Sequence, residues 1–167
     1  AQGAQVILNP APAQALSDAL LQNVTILTPN ETEAQMLTGI AVQDEAGAAA
    51  VAELLHKKGV DVVIITLGEA GAYVHAEDFK GMVPGFEVEP VDTTAAGDTF
   101  NGTLAVALAE GMSLEQAVIF AHAAAALSVT KLGAQPSAPD RKAIDQFLLD
   151  HPRKGTYRGR SIHLERE

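Results

Sequence analysis

A short segment in the second half of the chain places an acidic residue among small residues where a helical pattern begins. Residues 92–102 read DTTAAGDTFNG, and an alanine-rich apolar run follows. A helix N-terminus attracts anions through its free N–H groups and its dipole. Because Ala95, Ala96 and Gly97 carry little or no side chain, a phosphate could approach the backbone there.

Asp98 would then lie beside that anion site, in the first turn of the helix. Its carboxylate could take the proton of an incoming hydroxyl group while the N–H groups stabilise a phosphoryl group in transfer. The alternative is an ordinary helix cap, since Asp is common at the start of helices. The pattern alone leaves both interpretations open.

A second candidate site follows a predicted strand and reads NETE over residues 30–33. Polar side chains just past a strand lie where open α/β sheets bind ligands, which points to Asn30 and Glu33. The alternative is a helix cap at Asn30 or Thr32, with Glu33 favourable in the first turn.

A third candidate is the loop that follows the most apolar strand pattern. Its two glycines allow a tight turn and a close approach of the backbone to a ligand. No Gly-Lys-Ser/Thr follows, so the loop is not a P-loop, and a simple hairpin turn is the alternative. The loop consists of Thr66, Leu67, Gly68, Glu69, Ala70 and Gly71.

His122 lies within an alanine-rich helical pattern. A lone histidine there is more often a partly buried structural residue than a ligand. None of the five histidines pairs with another at metal-ligand spacing on a helix, so a histidine metal site is not predicted.

Composition narrows the class of protein. The 167 residues are 47% hydrophobic and 19% charged, which indicates one folded domain and argues against disorder. The net charge of −10 disfavours nucleic-acid binding. The chain has no cysteine, no apolar run of about 18 residues and no secretory signal pattern, so we predict a cytoplasmic protein without disulfides or membrane spans.

Strand and helix patterns alternate through the first 70 residues, which predicts an α/β fold with a mostly parallel central sheet flanked by helices. The β-branched run at 62–65 is typical of a strand buried on both faces. The predicted strands are 6–8, 24–27, 60–67, 72–75 and 85–88. The predicted helices are 12–22, 32–38, 44–58, 96–110, 113–131 and 143–149.

Residues 92–100 resemble the C-terminal signature of the ribokinase-like (PfkB-type) carbohydrate kinases. Further segments resemble the same family in the same order, and the resemblance covers roughly Gln5 to Leu149. These segments are 8–12, 28–33, 65–68, 83–86 and 133–137.

The resemblance implies roles for the candidate residues. Asp98 becomes the catalytic base, and Ala95, Ala96 and Gly97 form the anion hole. Asn30 contacts the phosphate side of ATP, and Glu33 acts on Mg²⁺, through water. The loop of residues 66–71 lies against the nucleotide, and His122 lies near the adenine.

The resemblance also implies a K⁺ site between two loops, formed mostly by main-chain oxygens. Lys131 would contribute its carbonyl, because an ammonium group cannot ligate a cation. The alternative for the second loop is a turn that caps the long helix, and Ser128 and Leu132 depart slightly from the family. The residues carried over are Asp92, Thr94, Ser128, Lys131, Gly133 and Ser137.

The implied fold is a ribokinase-like fold lacking its N-terminal part. Residues 1–150 form the nucleotide-binding part and 151–167 a polar, solvated tail. Family members carry a preceding segment with a Gly-Gly sugar motif and a β-sheet lid, for which this sequence shows no counterpart. We therefore expect an exposed sheet edge and association with another copy or with the missing half.

The implied function is transfer of the ATP γ-phosphoryl group to ribose O5, giving ribose 5-phosphate and ADP. Other kinases of the family act on fructose, a keto-deoxy acid or a nucleoside, and these remain alternatives. A non-catalytic nucleotide-binding module is the alternative from another class.

Overall fold

The computed structural model describes residues 3–152 and contains five strands and six α-helices within them. The strands are β1 (Ile7–Leu8), β2 (Ile26–Leu27), β3 (Val62–Thr66), β4 (Gly71–His75) and β5 (Lys80–Pro84). The helices are α1 (Asp18–Leu21), α2 (Glu31–Thr38), α3 (Glu45–Lys57), α4 (Ala96–Ala109), α5 (Leu114–Val129) and α6 (Arg141–Asp150). Short 3-10 turns lie at Gly68–Ala70 and Gln135–Ser137.

The strands form one mixed sheet in which they lie in the order β1-β2-β3-β4-β5. The first three are parallel: Ile26 of β2 is in register with Ile7 on one side and with Val62 on the other. β4 and β5 continue the sheet as antiparallel strands. The α/β prediction is confirmed, and the parallel part of the sheet is the part where strands and helices alternate along the chain.

Helices cover both faces of the sheet, as the apolar run in β3 predicted. Ile64 packs with side chains of α4, α5 and α6, whereas Val63 and Ile65 pack with those of α1, α2 and α3. All three side chains are fully buried. Because successive strand residues point to opposite faces, a strand between two helix layers has to be apolar at every position.

The strand predicted at residues 85–88 is wrong, and β5 lies at Lys80–Pro84 instead. The turn between β4 and β5 fixes this register, because the N–H of Ala76 donates to the carbonyl of Phe79 at 2.8 Å. His75 is therefore paired with Lys80, and the ladder ends where Gly71 meets Pro84.

The helix predicted over residues 12–22 is much shorter, because α1 begins only after Ser17. The Ser17 hydroxyl accepts a 3.2 Å hydrogen bond from the N–H of Leu20 and so caps the helix at that point. The other helices agree with prediction to within two residues. In α3, Asp44 is the expected cap and accepts from the N–H of Gly47 at 2.8 Å.

Within residues 3–152, β1 and β5 are the two edges of the sheet. Val6, which precedes β1, is 42% exposed, in keeping with the expected apolar surface beside that edge. No helix in this part of the chain is long and apolar enough to cross a membrane. The predicted polar tail lies, from residue 153 onward, outside the described residues, and the division at residue 150 stays a prediction.

Candidate functional site

A cavity of about 230 Å³ opens where β1, β2 and β3 end and α4 begins. Carboxyl ends of parallel strands and a helix N-terminus therefore face the same space, which is where open α/β sheets bind ligands. The cavity is lined by Asn9, Ala11, Thr28, Asn30, Glu33, Thr66, Thr94, Gly97, Asp98 and Asn101. Six of the predicted site residues are among them: Asn30, Glu33, Thr66, Thr94, Gly97 and Asp98.

The N-terminus of α4 has no side-chain cap among the described residues. Its N-cap position is Ala95, whose methyl group accepts no hydrogen bond. Every other α-helix described has a capping side chain, from Ser17, Asn30, Asp44, Ser113 and Asp140 in turn. The backbone of α4's first turn thus meets the cavity without a capping group in between.

Asp98 is the third residue of α4, is exposed, and lines this cavity. The helix-cap alternative for Asp98 is excluded, because the cap position is Ala95. The first N–H of the helix, that of Ala96, donates to the carbonyl of Thr93 at 3.2 Å. The next two N–H groups, those of Gly97 and Asp98, have no side-chain cap to receive them.

Gly97 keeps this end of the cavity open. A Cβ atom built on Gly97 would have Asn9 Nδ2 as its nearest neighbour, at 4.0 Å. The backbone could therefore carry a methyl group without a clash, but that group would occupy space in front of the helix N-terminus.

Asn30 and Glu33 form a reciprocal capping box at the start of α2. Asn30 Oδ1 accepts from the N–H of Glu33 at 2.9 Å, and Glu33 Oε2 accepts from the N–H of Asn30 at 2.9 Å. The helix-cap interpretation is therefore correct for Asn30, while both residues also line the cavity. The capping bonds use one oxygen of each side chain, which leaves the Asn30 amide NH₂ and the second Glu33 oxygen for a ligand.

Asp92 joins the two loops for which a K⁺ site was predicted. Its Oδ1 accepts from both the N–H and the hydroxyl of Thr94, at 3.0 and 2.5 Å, and its Oδ2 accepts from the N–H of Gly133 at 2.9 Å. These bonds, of which the one from the Thr94 hydroxyl has the largest effect, hold the pKa of the half-buried Asp92 carboxyl below its usual range. The N–H of Asp92 donates to the carbonyl of Val129 at 3.1 Å.

Two serines predicted for the K⁺ site, one in the last turn of α5 and one in the loop after it, use their hydroxyl groups internally. Ser128 Oγ donates to the carbonyl of Ala125 at 2.8 Å, and Ser137 Oγ donates to that of Ala134 at 2.7 Å. The N–H of Lys131 donates to the carbonyl of Ser128 at 3.2 Å, which is the helix-closing turn that was the alternative. A cation between the loops would therefore meet main-chain oxygens. The described residues contain no cluster of three or more His, Asp or Glu side chains that could hold a metal ion.

The loop of residues 66–71 is the turn of the β3–β4 hairpin. The N–H of Leu67 donates to the carbonyl of Gly71 at 2.8 Å, as the hairpin alternative predicted. Only Thr66 of this loop lines the cavity, and its N–H donates to the carbonyl of Pro29 at 2.9 Å. This bond places Thr66 beside Asn30.

His122 is 7% exposed and packs against Phe100 of α4, with ring centroids 5.1 Å apart. It is not among the residues that line the cavity of Asp98. Its contact with the adenine stays a prediction, and its packing fits the structural alternative.

Four residues of the cavity have no role predicted from the sequence: Asn9, Ala11, Thr28 and Asn101. The first three follow β1 and β2, so the rule that led to Asn30 could also have led to them. Asn101 lies one helical turn beyond Gly97, and its Nδ2 donates to the carbonyl of Gly97 at 2.9 Å.

A larger cavity, of about 660 Å³, lies at the opposite end of β3. Its wall includes four carboxylates, those of Asp61, Glu77, Asp78 and Glu115. An acidic wall repels phosphate groups, so the smaller cavity is the better candidate for nucleotide chemistry despite its size.

The family described as pfkB family carbohydrate kinase matches residues 1–141, and the chain belongs to that family. Ribokinase of Haemophilus influenzae is 52% identical over 146 residues, which are 87% of this chain and 48% of that protein.

Solved structures of two ribokinases have a similar fold. Ribokinase from Thermotoga maritima superposes with a TM-score of 0.81 at 45% identity, covering 88% of this chain and 50% of that one. Arabidopsis thaliana ribokinase, complexed with ribose and ATP, gives a TM-score of 0.80 at 38% identity, covering 87% of this chain and 48% of that one. The chain thus spans about half the length of the curated relatives it matches.

Proposed function

We propose that this chain carries the nucleotide-binding and catalytic-base half of an ATP-dependent sugar kinase that transfers the γ-phosphoryl group of ATP to O5 of ribose. The observation that carries the proposal is Asp98 on the first turn of a helix without a side-chain cap, beside Asn30 and Glu33 in one cavity. Ribose is chosen because the similar proteins are ribokinases, one of them complexed with ribose and ATP.

In the proposed reaction, Asp98 takes the proton of the sugar hydroxyl. The hydroxyl oxygen forms a bond to the γ-phosphorus, and the bond from that phosphorus to the bridging oxygen breaks, so ADP leaves. The anion hole predicted at Ala95, Ala96 and Gly97 is revised, because the N–H of Ala96 already donates to the carbonyl of Thr93. The N–H groups of Gly97 and Asp98 would donate to the phosphoryl oxygens, where charge is greatest during transfer. The small side chains of Ala95 and Ala96 leave this approach open.

The nucleotide phosphates would lie on the side of Asn30, whose amide NH₂ can donate to them. Mg²⁺ commonly keeps several waters and takes few protein carboxylates, and the buried carboxylate of Glu33 fits that pattern. When bound, Mg²⁺ supplies charge neutralisation of the phosphates. The loop of residues 66–71 would lie against the nucleotide, and we retain His122 as a contact near the adenine.

A K⁺ site between the loops at 92–94 and 128–137 belongs to the same proposal. The bond between Asp92 and Gly133 holds the loops together, and the hydroxyls of Ser128 and Ser137 are used within their own turns. Main-chain oxygens, including that of Lys131, would ligate the cation, and Thr94 would place this site beside the cavity.

The proposed partner is a second copy of the chain or an N-terminal half that completes the sugar site, because the chain spans about half the length of its relatives. The same observation favours a second candidate function, a nucleotide-binding module without catalysis. Within the family, kinases of fructose, a keto-deoxy acid or a nucleoside are the alternatives to ribose. A cytoplasmic location remains a prediction.

The test is ADP production by the purified chain with ribose, Mg²⁺ and K⁺, alongside calorimetric binding of ATP. Asp98→Asn should abolish transfer and retain binding, while Asp78→Asn, an exposed aspartate at the other end of the sheet, should change neither. Transfer that is absent in the chain alone but appears when the N-terminal half of a ribokinase is added would support the kinase half, whereas binding without transfer under both conditions would favour the non-catalytic module. Absence of nucleotide binding would refute both candidates, and a panel of sugars decides the acceptor.

A further inference from the structure

Asn101 links the first turn of α4 to the end of β2. Its Oδ1 accepts a 2.7 Å hydrogen bond from the hydroxyl of Thr28, and its Nδ2 donates to the carbonyl of Gly97 at 2.9 Å. Thr28 is 2% exposed, so its hydroxyl is held in a buried position. The two residues are separated by 73 positions, and the link therefore exists only in the folded chain.

Both polar ends of the Asn101 amide are used, one as acceptor and one as donor. A carboxylate could not donate to Gly97, and an apolar side chain could do neither. The link is thus specific for an amide at this position and a hydroxyl at Thr28.

The two hydrogen bonds of Asn101 connect the two regions of the cavity that would contact the substrate. Gly97, with Asp98 next to it, belongs to the helix end that would meet the transferred phosphoryl group. Thr28 stands two residues before Asn30, on the side that would hold the nucleotide phosphates. A reaction between groups held on separate elements depends steeply on their spacing, and a misplacement of about 1 Å can cost about a hundredfold in rate.

The link also explains how α4 can lack a cap. A capping side chain would fix the helix end by occupying its N–H groups. Asn101 instead anchors the first turn through the carbonyl of Gly97, so the N–H groups stay available for an anion.

From these contacts we infer that Asn101 and Thr28 are positioning residues that set the spacing between the α4 anion site and the Asn30–Glu33 side of the cavity. This inference rests on the proposed function. It assigns to the pair no contact with substrate: the pair acts through Gly97, Asp98 and Asn30.

Four variants separate positioning from stability. Thr28→Val keeps the packing and removes the hydroxyl, whereas Thr28→Ser keeps the hydroxyl and removes buried packing. Asn101→Leu removes both hydrogen bonds of the amide. Thr25→Val is the matched control, because the Thr25 hydroxyl accepts a 3.0 Å bond from the N–H of Val6 at the other end of β2.

The first readout is the ratio of affinities for a non-hydrolysable ATP analogue and for ADP, each with Mg²⁺, by calorimetry on the full chain. The ratio reports the contribution of the γ-phosphoryl group to affinity, because the two ligands differ only there. A general loss of stability weakens the binding of both ligands and leaves the ratio unchanged. We expect Thr28→Val and Asn101→Leu each to lower the ratio about tenfold, and the double variant to lower it no further. Thr25→Val and Thr28→Ser should keep the ratio of the unaltered chain.

The second readout needs no nucleotide. The N–H of Thr99 makes a 2.9 Å bond to the carbonyl of Ala95 in the first turn of α4, and the N–H of Ala117 makes the equivalent 2.8 Å bond in α5. Hydrogen exchange at Thr99 should rise about tenfold in Thr28→Val, with Ala117 unchanged.

The outcomes distinguish failure of the proposed function from failure of the positioning role of Asn101 and Thr28. If the unaltered chain binds neither nucleotide, the proposed function fails. Hydrogen exchange at the N–H of Thr99 then remains as the test of whether Asn101 and Thr28 fix the first turn of α4. If the chain binds both and the ratio survives Thr28→Val and Asn101→Leu, or falls equally in Thr25→Val, the inference is overturned and the function stands. Unchanged exchange at Thr99 overturns it as well.

Discussion

The Oδ2 atom of Asp92 accepts a 2.9 Å hydrogen bond from the N–H of Gly133, 41 positions further along the chain. The other oxygen of the same carboxylate accepts two bonds from Thr94. One half-buried carboxylate therefore ties the loop before α4 to the loop after α5. Both of its oxygens already have protein donors, so its role at a cation site would be to hold the loops in place.

Asp92→Asn should remove the response of the chain to K⁺. The asparagine NH₂ group cannot accept a hydrogen bond, so either Gly133 or Thr94 loses its acceptor. We expect the unaltered chain to have a Tm higher by roughly 2–4 °C in KCl than in NaCl of equal concentration, and the variant to lose this difference. The measurement is thermal unfolding in the two salts.

The control for this experiment is Asp44→Asn, since asparagine caps a helix about as well as aspartate does. It should unfold with the K⁺ response intact. A K⁺ response that persists in Asp92→Asn, at the same size, would remove the support for a site between these loops.

Gly97→Ala should weaken ATP binding without harming the fold. The added methyl group would lie 4.0 Å from Asn9 Nδ2, which is ordinary contact, but it would take up space at the cavity that Gly97 lines. Alanine is also a better helix former than glycine, by about 1 kcal/mol in a helix interior. We expect affinity for MgATP to fall about tenfold, as for the loss of one hydrogen bond to a charged group, with no loss of resistance to urea.

Gly102→Ala provides the comparison on the same helix. A Cβ atom there has no neighbour within 4 Å among the described residues, and Gly102 does not line the cavity. It should preserve both affinity and stability. Equal affinities of the two variants would mean that the phosphate does not approach α4 at Gly97.

The sequence predicted most elements because local chemistry fixes them. Asp44 ends the loop before α3 through its own side chain, and the β-branched residues of β3 suit burial on both faces. The β4–β5 hairpin was misplaced because its turn, residues 76–79, reads AEDF and contains no glycine or asparagine. The hydrogen bond between Ala76 and Phe79 that sets its register becomes visible only in the folded chain.

For the site, the sequence located residues within motifs and missed residues that depend on docking between elements. Gly97, Asp98 and Asn30 stand in short patterns with a recognisable chemistry. Asn101 and Thr28 meet only because α4 lies against the end of β2. No periodicity or spacing in the sequence predicts the contact between Asn101 and Thr28.

Gly71→Ala should destabilise the chain severely, whereas Gly68→Ala should be mild. Both glycines have positive φ, +108° and +56°. The value at Gly68 costs an alanine roughly 1–2 kcal/mol, whereas Gly71, with ψ −129°, lies in the mirror image of the β region, which glycine alone adopts readily. Only at Gly71 would the new Cβ atom meet backbone, with the carbonyl oxygen of Val83 at 2.2 Å. The β4–β5 ladder would have to separate there.

Urea unfolding of the two variants measures this difference. We expect Gly68→Ala to shift the free energy of unfolding by about 1 kcal/mol and Gly71→Ala by more than about 4 kcal/mol or to prevent folding. Similar values for both variants would mean that β5 can move away from Gly71 at little cost.

His75 should make the stability of the chain depend on pH. It is 2% exposed, its ring centroid lies 4.9 Å from that of His56, and neither of its ring nitrogens has a hydrogen-bond partner in the described part of the chain. Burial first, then Lys80 and His56, lower the pKa of His75, and Glu53 opposes them. The folded chain therefore binds fewer protons at His75 than the unfolded chain does.

Stability from this group is complete above the unfolded pKa, about 6.5, and is lost as the pH falls toward the lower folded value. The free energy of unfolding should decline less steeply between pH 7.5 and 5 in His75→Phe than in the unaltered chain. The difference in slope is up to about 1.4 kcal/mol per pH unit, the value for one linked proton. Urea unfolding across this range measures the slopes, and a slope retained in His75→Phe would assign the proton uptake to another group.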